Sequence, residues 1–561
     1  MKSIKPTKSK KTIIKLMLIL VLALFIRFIF LDKIPVGIND DELHFVLKAK
    51  SFFYGETLSF DEMSSVVFSP IIGILPLNLV TAKLPYVITS VLSIILLYLI
   101  VKKITKNTNL SLFIVLAASL NPWSIYTART SFDAPVALLF FLLSLYLMLK
   151  NNRLSILLSI PIGFLAFNSY IGTKVIYFPY IFISAFYCWK FVNKKFGIYY
   201  LATIIFALII TLNFAVSLSH QSVGRRLSEL WTPSSPKIAA IVNDERRESL
   251  SPAITLFTNK YTIYFRETFE KYLNNFSPNV LFLTGDAAFT GSLWIHGYFY
   301  YFDIILIILG VLFLFQKHRS FLLFITSFIL LSPIPEAIRG DSIPAYVFHS
   351  SLQYPFLFIL VGAGIFYFFQ IFKSKLIRIG FILLYLLSFA NFLNIYFLKA
   401  PIYQSESFVF SHRLVSKYLS MENQNNREIY FLTNQPELMF RSFLFYTNNF
   451  NRQNFPLIQS AYVQSNDSYS FEHVHFINNK NLLPKNQDYT LITNPNSFSI
   501  QNFDNTIYIK RFSDAGNLLT IQNGTICNNI KSDSFPKNIK ISQLKIENIN
   551  YETFCTKFIS Q

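Results

Sequence analysis

Three consecutive acids stand in the run Asn39-Asp40-Asp41-Glu42-Leu43-His44-Phe45. Acids grouped this way suit two tasks: holding a metal ion, or taking a proton from an attacking hydroxyl. Asp41 and His44 are three residues apart, which on a helix puts them on one face. A plainer reading is a helix start, with Asp40 or Asp41 as the cap and the other charges solvated. A second group is Asn121-Pro122-Trp123-Ser124-Ile125-Tyr126-Thr127-Ala128-Arg129-Thr130-Ser131-Phe132-Asp133. Arg129 and Asp133 are four apart. They can form an i,i+4 ion pair, with Trp123 and Tyr126 anchoring a membrane interface.

These residues sit at the ends of long apolar segments, which must position them. A helix needs about 20 apolar residues to cross a bilayer. The candidate segments are 14–31, 86–101, 110–126, 134–149, 154–171, 176–192, 197–217, 298–315, 320–334, 352–372 and 377–398. They predict about eleven spans. Residues 66–80 are apolar but broken by Pro70 and Pro76, and read as interfacial or re-entrant. Lys and Arg gather on cytoplasmic loops. With the basic arm over residues 2–15 inside, the inner loops 102–106, 150–153, 190–195, 317–319 and 373–378 are short and basic, without Asp or Glu. The acidic and mixed loops then fall outside, including 32–85 and 218–297. Both groups of candidate residues land on that outer face. No small-residue cleavage site follows the first apolar run, so it reads as an uncleaved first span.

Composition agrees. Of 561 residues, 53% are hydrophobic and 14% charged, against about 25% charged in soluble domains. The net charge of +20 does not indicate nucleic acid, because the basic residues are scattered between apolar runs. Residues 1–399 form the membrane part. Residues 400–561 are polar and read as a small outer α/β domain. Short apolar runs at 429–432, 489–493 and 506–509 predict strands, and 408–419 a helix. The long loop 218–297 carries Arg225, Arg226, Arg246 and Arg247, with a helical stretch near 261–272. Cys527 and Cys555 either form a disulfide outside the cell or remain two unpaired thiols; Cys188 lies in an apolar run. Arg27 reads as an interface anchor at the outer end of the first span, and Asp303 as a local hydrogen-bonding partner.

The series of motifs resembles the GT-C superfamily of membrane glycosyltransferases. Within it, the resemblance is to the bacterial protein O-mannosyltransferase and aminoarabinose transferase group (families 39 and 83). Asp41-Glu42-Leu43-His44-Phe45 matches an Asp-Glu-x-His-Phe motif in the first outer loop. Phe60-Asp61 matches a following Phe-Asp, although Glu62-Met63-Ser64-Ser65 replaces the Pro-Pro-Leu continuation. The stretch from Pro122-Trp123 to Asp133 is similar to the second outer loop, with Ala128 and Asp133 where Ser and Glu are usual. Ser169-Tyr170 with Lys174 and Pro179, Phe282 to Asp286 with Gly297, and Ser332-Pro333-Ile334-Pro335 to Asp341-Ser342 are similar to later motifs. Near His349 the family often has Arg. The resemblance covers roughly residues 10–400.

The resemblance implies a GT-C-like fold and an inverting transfer. A sugar moves from a polyprenyl-phosphate donor to an acceptor hydroxyl on the outer face of the cell membrane. Asp41 is the expected general base, with Glu42 or Asp40 as substitutes. Asp40, His44, Arg129, Asp133, Tyr170, Lys174 and Arg339 are expected to bind substrate, the cations meeting the phosphate. Asp41, Asp61 and Asp133 could supply oxygen ligands to Mg²⁺ or Mn²⁺, since some members use a metal and others do not. The acceptor, whether protein, lipid or glycan, is left open. A membrane transporter is the rival from another class, and a glycan polymerase or ligase the rival within lipid-linked chemistry. A transporter would place substrate groups near the bilayer midplane, usually within inverted repeats; here the ionisable residues gather at one face.

Overall fold

In the computed structural model each of the long apolar segments is helical over most of its length. The structure describes residues 7–150, 152–217, 233, 235–251, 253–285, 293–339, 346–423, 427–463, 468–484, 488–494, 506–528 and 539–560. Asp286, Asp341 and Ser342 of the quoted motifs lie outside these residues, as do Arg225 and Arg226. In chain order the first helices are α1 (Thr7–Phe28), α2 (Asp40–Phe53), α3 (Met63–Ile74), α4 (Leu79–Thr105) and α5 (Thr108–Leu120). The short α6 (Pro122–Thr127) precedes α7 (Ala134–Leu149), α8 (Arg153–Ser169), α9 (Ile171–Tyr187) and α10 (Gly197–Ser217). The long connection carries α11 (Pro236–Arg247) and α12 (Lys260–Asn274). Then come α13 (Asp303–Lys317), α14 (Arg319–Leu331), α15 (Ile334–Ala337), α16 (Gln353–Ile371) and α17 (Lys375–Asn394).

Among the described residues, six helical stretches are long and apolar enough to cross a membrane: Leu79–Thr105, Ile171–Val192, Lys194–Ser217, Arg319–Ala337, Gln353–Ile371 and Lys375–Tyr403. The chain is a multi-pass membrane protein. α5, α7 and α8 are equally apolar but have only 13, 16 and 17 residues. Among the described residues, length and composition alone thus mark six helices, and the expected count of about eleven is not confirmed.

Lipid cannot drive helices together by hydrophobicity, so close backbone contact has to. α13 and α16 cross in this way. A Cβ on Gly364 would stand 1.9 Å from the Leu306 carbonyl oxygen, and one on Gly310 would stand 2.0 Å from that of Leu360. Arg27 departs from its expected role as an interface anchor. It is fully buried, and its guanidinium donates to Ser90 Oγ, Ser124 Oγ and the carbonyls of Ala23 and Ser119. It therefore joins α1 to α4, α5 and α6. Asp303 accepts from Tyr300 N–H at 3.0 Å, the local bond expected of it.

Beyond α17 the chain forms a mixed sheet flanked by helices. Its strands are β1 (Ile429–Leu432), β2 (Ser468–Phe471), β3 (Val474–Ile477), β4 (Thr490–Thr493), β5 (Thr506–Lys510), β6 (Asn517–Gln522) and β7 (Ile559–Ser560), in the order β2-β3-β1-β4-β6-β5-β7. β1 lies parallel to β3 and β4; the outer pairs are antiparallel. α18 (Phe410–Glu422), α19 (Pro436–Tyr446), α20 (Phe455–Val463) and α21 (Tyr551–Phe558) pack around it. Cys527 and Cys555 are joined as a disulfide, with Cα atoms 5.2 Å apart.

This domain sits on the first connection of the membrane part. Buried cations from three elements hold the backbone leading into α2. Arg129 donates to the Ile34 carbonyl at 2.7 Å, Lys83 to that of Pro35 at 3.0 Å, and Arg413 of α18 to that of Val36 at 2.6 Å. Ile38 N–H donates to Tyr446 Oη at 3.0 Å. On pattern alone, the apolar residues Leu43, Val46 and Leu47 of α2 fit a lipid-facing side. They are buried instead against protein, because α3 and the C-terminal domain cover that side; Phe53 is 43% exposed. α3 occupies the apolar stretch interrupted by Pro70. Lys50 of α2 caps it, donating to the carbonyls of Ile72, Gly73 and Leu75.

Candidate active site

The site begins at the cap of α2. A helix start leaves N–H groups without partners, and a short polar side chain just before it supplies one. That residue is Asn39, not Asp40 or Asp41. Asn39 Oδ1 accepts from Glu42 N–H at 2.9 Å, and Glu42 Oε2 accepts from Asn39 N–H at 3.1 Å. This reciprocal pair is a capping box. It leaves Asp40 and Asp41 outside the capping pair, both accessible, with Asp41 partly shielded by its neighbours.

Glu42 lies fully inside the protein. Its Oε1 accepts from Ser131 N–H at 2.5 Å, fastening α2 to the connection between α6 and α7. Burial pushes its carboxyl above the usual range, opposed by the charge of Lys83 and the two backbone N–H groups. A carboxyl enclosed this way ties the start of α2 to the α6–α7 link. Asp41, one residue earlier, faces outward. The surrounding protein raises its carboxyl, first by desolvation and then through the charge of Asp40. His44, Arg339 and His349 pull in the other direction. These residues from α2 and from the segment after α15 therefore share one electrostatic environment.

The opposite wall is built after α15. Arg339 has its guanidinium 3.7 Å from Glu336, 3.4 Å from His349 Nδ1 and over the ring of Tyr346. His349 Nδ1 is 2.8 Å from Glu336 Oε2. Lys271 of α12 donates to the Arg339 carbonyl at 2.7 Å, so the long connection braces this wall. The Tyr170 ring lies 5.7 Å from that of His349. Its hydroxyl is buried and has no hydrogen-bond partner among the described residues. Burial, then the charge of Asp133, lift the Tyr170 hydroxyl well above its ordinary range, with Arg339 opposing. Tyr170 thus stays protonated and keeps an O–H to donate. Asp133 joins the cluster through Tyr170.

At the edge of the site Lys174, itself buried, meets the exposed Asp61 at 2.6 Å. His44 Nε2 stands 3.1 Å from Glu62 Oε1. The structure thus gathers Asp40, Asp41, His44 and Arg339 in one neighbourhood, and Asp133 and Tyr170 in an adjoining one that also includes Arg339. It does not bring Arg129 there. Arg129 is fully buried, donating to the carbonyls of Ile26, Arg27 and Ile34 and to Tyr396 Oη. Its i,i+4 spacing to Asp133 fails to produce an ion pair because both residues lie in the non-helical link between α6 and α7. Nor is the three-carboxylate metal set assembled. Asp61 is paired with Lys174, and among the described residues no three His, Cys, Asp or Glu side chains gather closely enough to hold a metal.

Sequence reasoning missed Glu336, Tyr346 and the buried Lys83. The signal for Glu336 was present: an acid immediately after the apolar segment at 320–334, where an unpaired charge is costly. Lys83 sat just before another predicted span and carried the same signal.

No protein-family description matches the sequence, and no curated protein matches it. Its structure is similar to those of ArnT from Cupriavidus metallidurans. Against the apo form the TM-score is 0.48 at 12% identity, covering 90% of this chain and 97% of that one. Against the form bound to undecaprenyl phosphate it is 0.47 at 11% identity, with the same coverage. An oligosaccharyltransferase from Archaeoglobus fulgidus, tethered to an acceptor peptide, matches at 0.42 and 9% identity, covering 78% of this chain and 63% of that one. ArnT is an aminoarabinose transferase, of the group that the sequence motifs resemble.

Proposed function

We propose that this protein is a membrane glycosyltransferase that moves a sugar from a polyprenyl-phosphate donor to an acceptor hydroxyl, with inversion at the anomeric carbon. The observation that carries the reading is Asp41. It is a solvent-facing carboxylate whose basicity is raised, opposite a guanidinium and an imidazole, at the margin of a bundle of apolar helices.

Inverting displacement needs a base on the attacking hydroxyl and positive charge on the departing phosphate. Asp41 takes the proton as the new glycosidic bond forms. Arg339 meets the phosphate, its planar fork matching two oxygens. Lys174 is the second cation, reached by displacing Asp61. Tyr170 donates a hydrogen bond to the donor headgroup. Glu42 and Arg129 hold the backbone that aims Asp41. The donor's tail lies in lipid beside the helices, which places its phosphate at the interface, level with these groups. Basic inner loops and the Cys527–Cys555 disulfide support an outward-facing site, with the N-terminus in the cytoplasm of the cell that carries it.

The test is Asp41→Asn, assayed in proteoliposomes with several polyprenyl-phosphate sugars. The expected result is a loss of about 10²–10⁴-fold in transfer, with donor binding and thermal melting unchanged. Full activity in the variant would remove Asp41 from the chemistry, and a wild type that releases no carrier phosphate from any donor would end the proposal.

A further inference from the structure

A cavity of about 670 Å³ lies at the end of the bundle that carries the basic loops, where three elements finish together. α4 and the residue after it supply Lys102, Lys103 and Lys106, and α7 supplies Tyr146. The end of α9 supplies Tyr187, and the π-helical turn that follows it, Cys188–Val192, supplies Phe191 and Val192. Such turns are rare and are frequent at functional sites. Lys83, near the other end of α4, holds the entrance to α2. At 1.5 Å per residue that entrance is about 30 Å away along the helix. The cavity is therefore separate from the candidate active site.

Charge decides what enters. The lining carries three ammonium groups and no Asp or Glu. Lys102, Lys103 and Lys106 are all exposed. Two more cations stand over its rings: Lys150 lies 5.0 Å from the Tyr146 centroid and Lys190 lies 5.5 Å from that of Phe191. The loops 150–153 and 190–195 that carry them contain no acid. Cations are repelled, and a zwitterion loses on its ammonium what it gains on its phosphate. An excess of lysine on this face follows from topology alone; its convergence on one cavity from three helix ends does not.

The remaining wall is apolar and open. Phe186, Trp189 and Phe191 are 41, 45 and 52% exposed, on a stretch apolar enough to cross a membrane. Phe191 belongs to both surfaces, lining the cavity and continuing the apolar flank. A soluble phosphate or nucleotide would meet the lysines and leave that flank uncovered. A hydrocarbon tail alone would leave the ammonium groups facing an apolar partner. A phospholipid with a net negative headgroup satisfies both halves, its phosphate on the lysines and its chains along the aromatic flank. Basic pockets between spanning helices bind anionic headgroups in this way.

We infer that the cavity between the ends of α4, α7 and α9 is a binding site for an anionic phospholipid of the adjoining leaflet. The inference stands on the membrane placement of the chain and not on the proposed transfer.

The test adds defined lipids to the full chain in detergent micelles and reads what remains bound by native mass spectrometry. Phosphatidylglycerol is expected to bind about tenfold or more tightly than phosphatidylcholine. Lys102→Gln, Lys103→Gln and Lys106→Gln together should remove that preference. Lys317→Gln, Lys373→Gln and Lys375→Gln take the same charge from other basic loops and should keep it. Phe191→Ala, at an exposed ring, should weaken phosphatidylglycerol binding with every lysine in place, so a folding failure in the first triple variant would not decide the matter. Equal binding of the two lipids overturns the inference, as does an equal loss in the two triple variants. Displacement of phosphatidylglycerol by equimolar pyrophosphate or ATP would assign the site to a soluble anion and overturn it as well. None of these outcomes depends on whether the chain transfers a sugar.

Discussion

At the scale of single residues, Asp41 and Glu42 are neighbours with opposite fates. The motif names both, and only the capping geometry separates them. Glu42 turns back to close the box with Asn39 and to hold Ser131, and Asp41 is left facing out. A pH dependence follows. A base works when ionised, so transfer rises with pH as Asp41 loses its proton. Desolvation and the charge of Asp40 hold that carboxyl above the ordinary aspartate range, so the rising limb should lie above that range too. Asp40→Asn removes the repulsion and should move the limb to lower pH, giving more of the maximal rate under acidic conditions. A profile of kcat/KM against pH for the two proteins checks the direction; an upward or absent shift would deny Asp41 the role.

Elements decide how such residues are aimed. The segments that become helices were legible as apolar runs, and the predicted strands at 429–432 and 506–509 appear as β1 and β5. Partners of the amphipathic elements were not legible. The apolar face of α2 fits lipid as well as protein on pattern alone, and only the fold shows α3 and α19 covering it. The same limit misled the reading of Arg27 and Arg129. Both look like interface charges in sequence, yet each finds enough carbonyls inside the bundle to be satisfied there. The joint between α2 and α3 is tight. A Cβ on Gly73 would come within 2.4 Å of Phe53 Cβ and 2.1 Å of its Cγ, atoms too close to the backbone to swing away. Gly73→Ala should therefore destabilise by about 1–3 kcal/mol, seen as a lower melting temperature in detergent; a neutral result would mean that the two helices separate at little cost.

For the molecule as a whole, the C-terminal domain is bound to the beginning of the chain. Arg413 is almost fully buried, accepted by the Val36 carbonyl and by both oxygens of Glu547. Arg413→Ala strips both partners. Breaking a fully enclosed ion pair costs about 3–5 kcal/mol; because the Glu547 side chain is 35% exposed, about 2–3 kcal/mol is expected. Transfer should fall with it while donor binding persists, which thermal melting and a donor-binding assay can separate. There is also a consequence for biosynthesis. The contacts that steady the entrance to α2 come from residues 377 and 408 positions downstream. A ribosome inserts the first helices long before those partners exist, so the proposed base is exposed early but unsupported. On the proposed function, the centre is complete only once the C-terminal domain has been made and seated on that entrance.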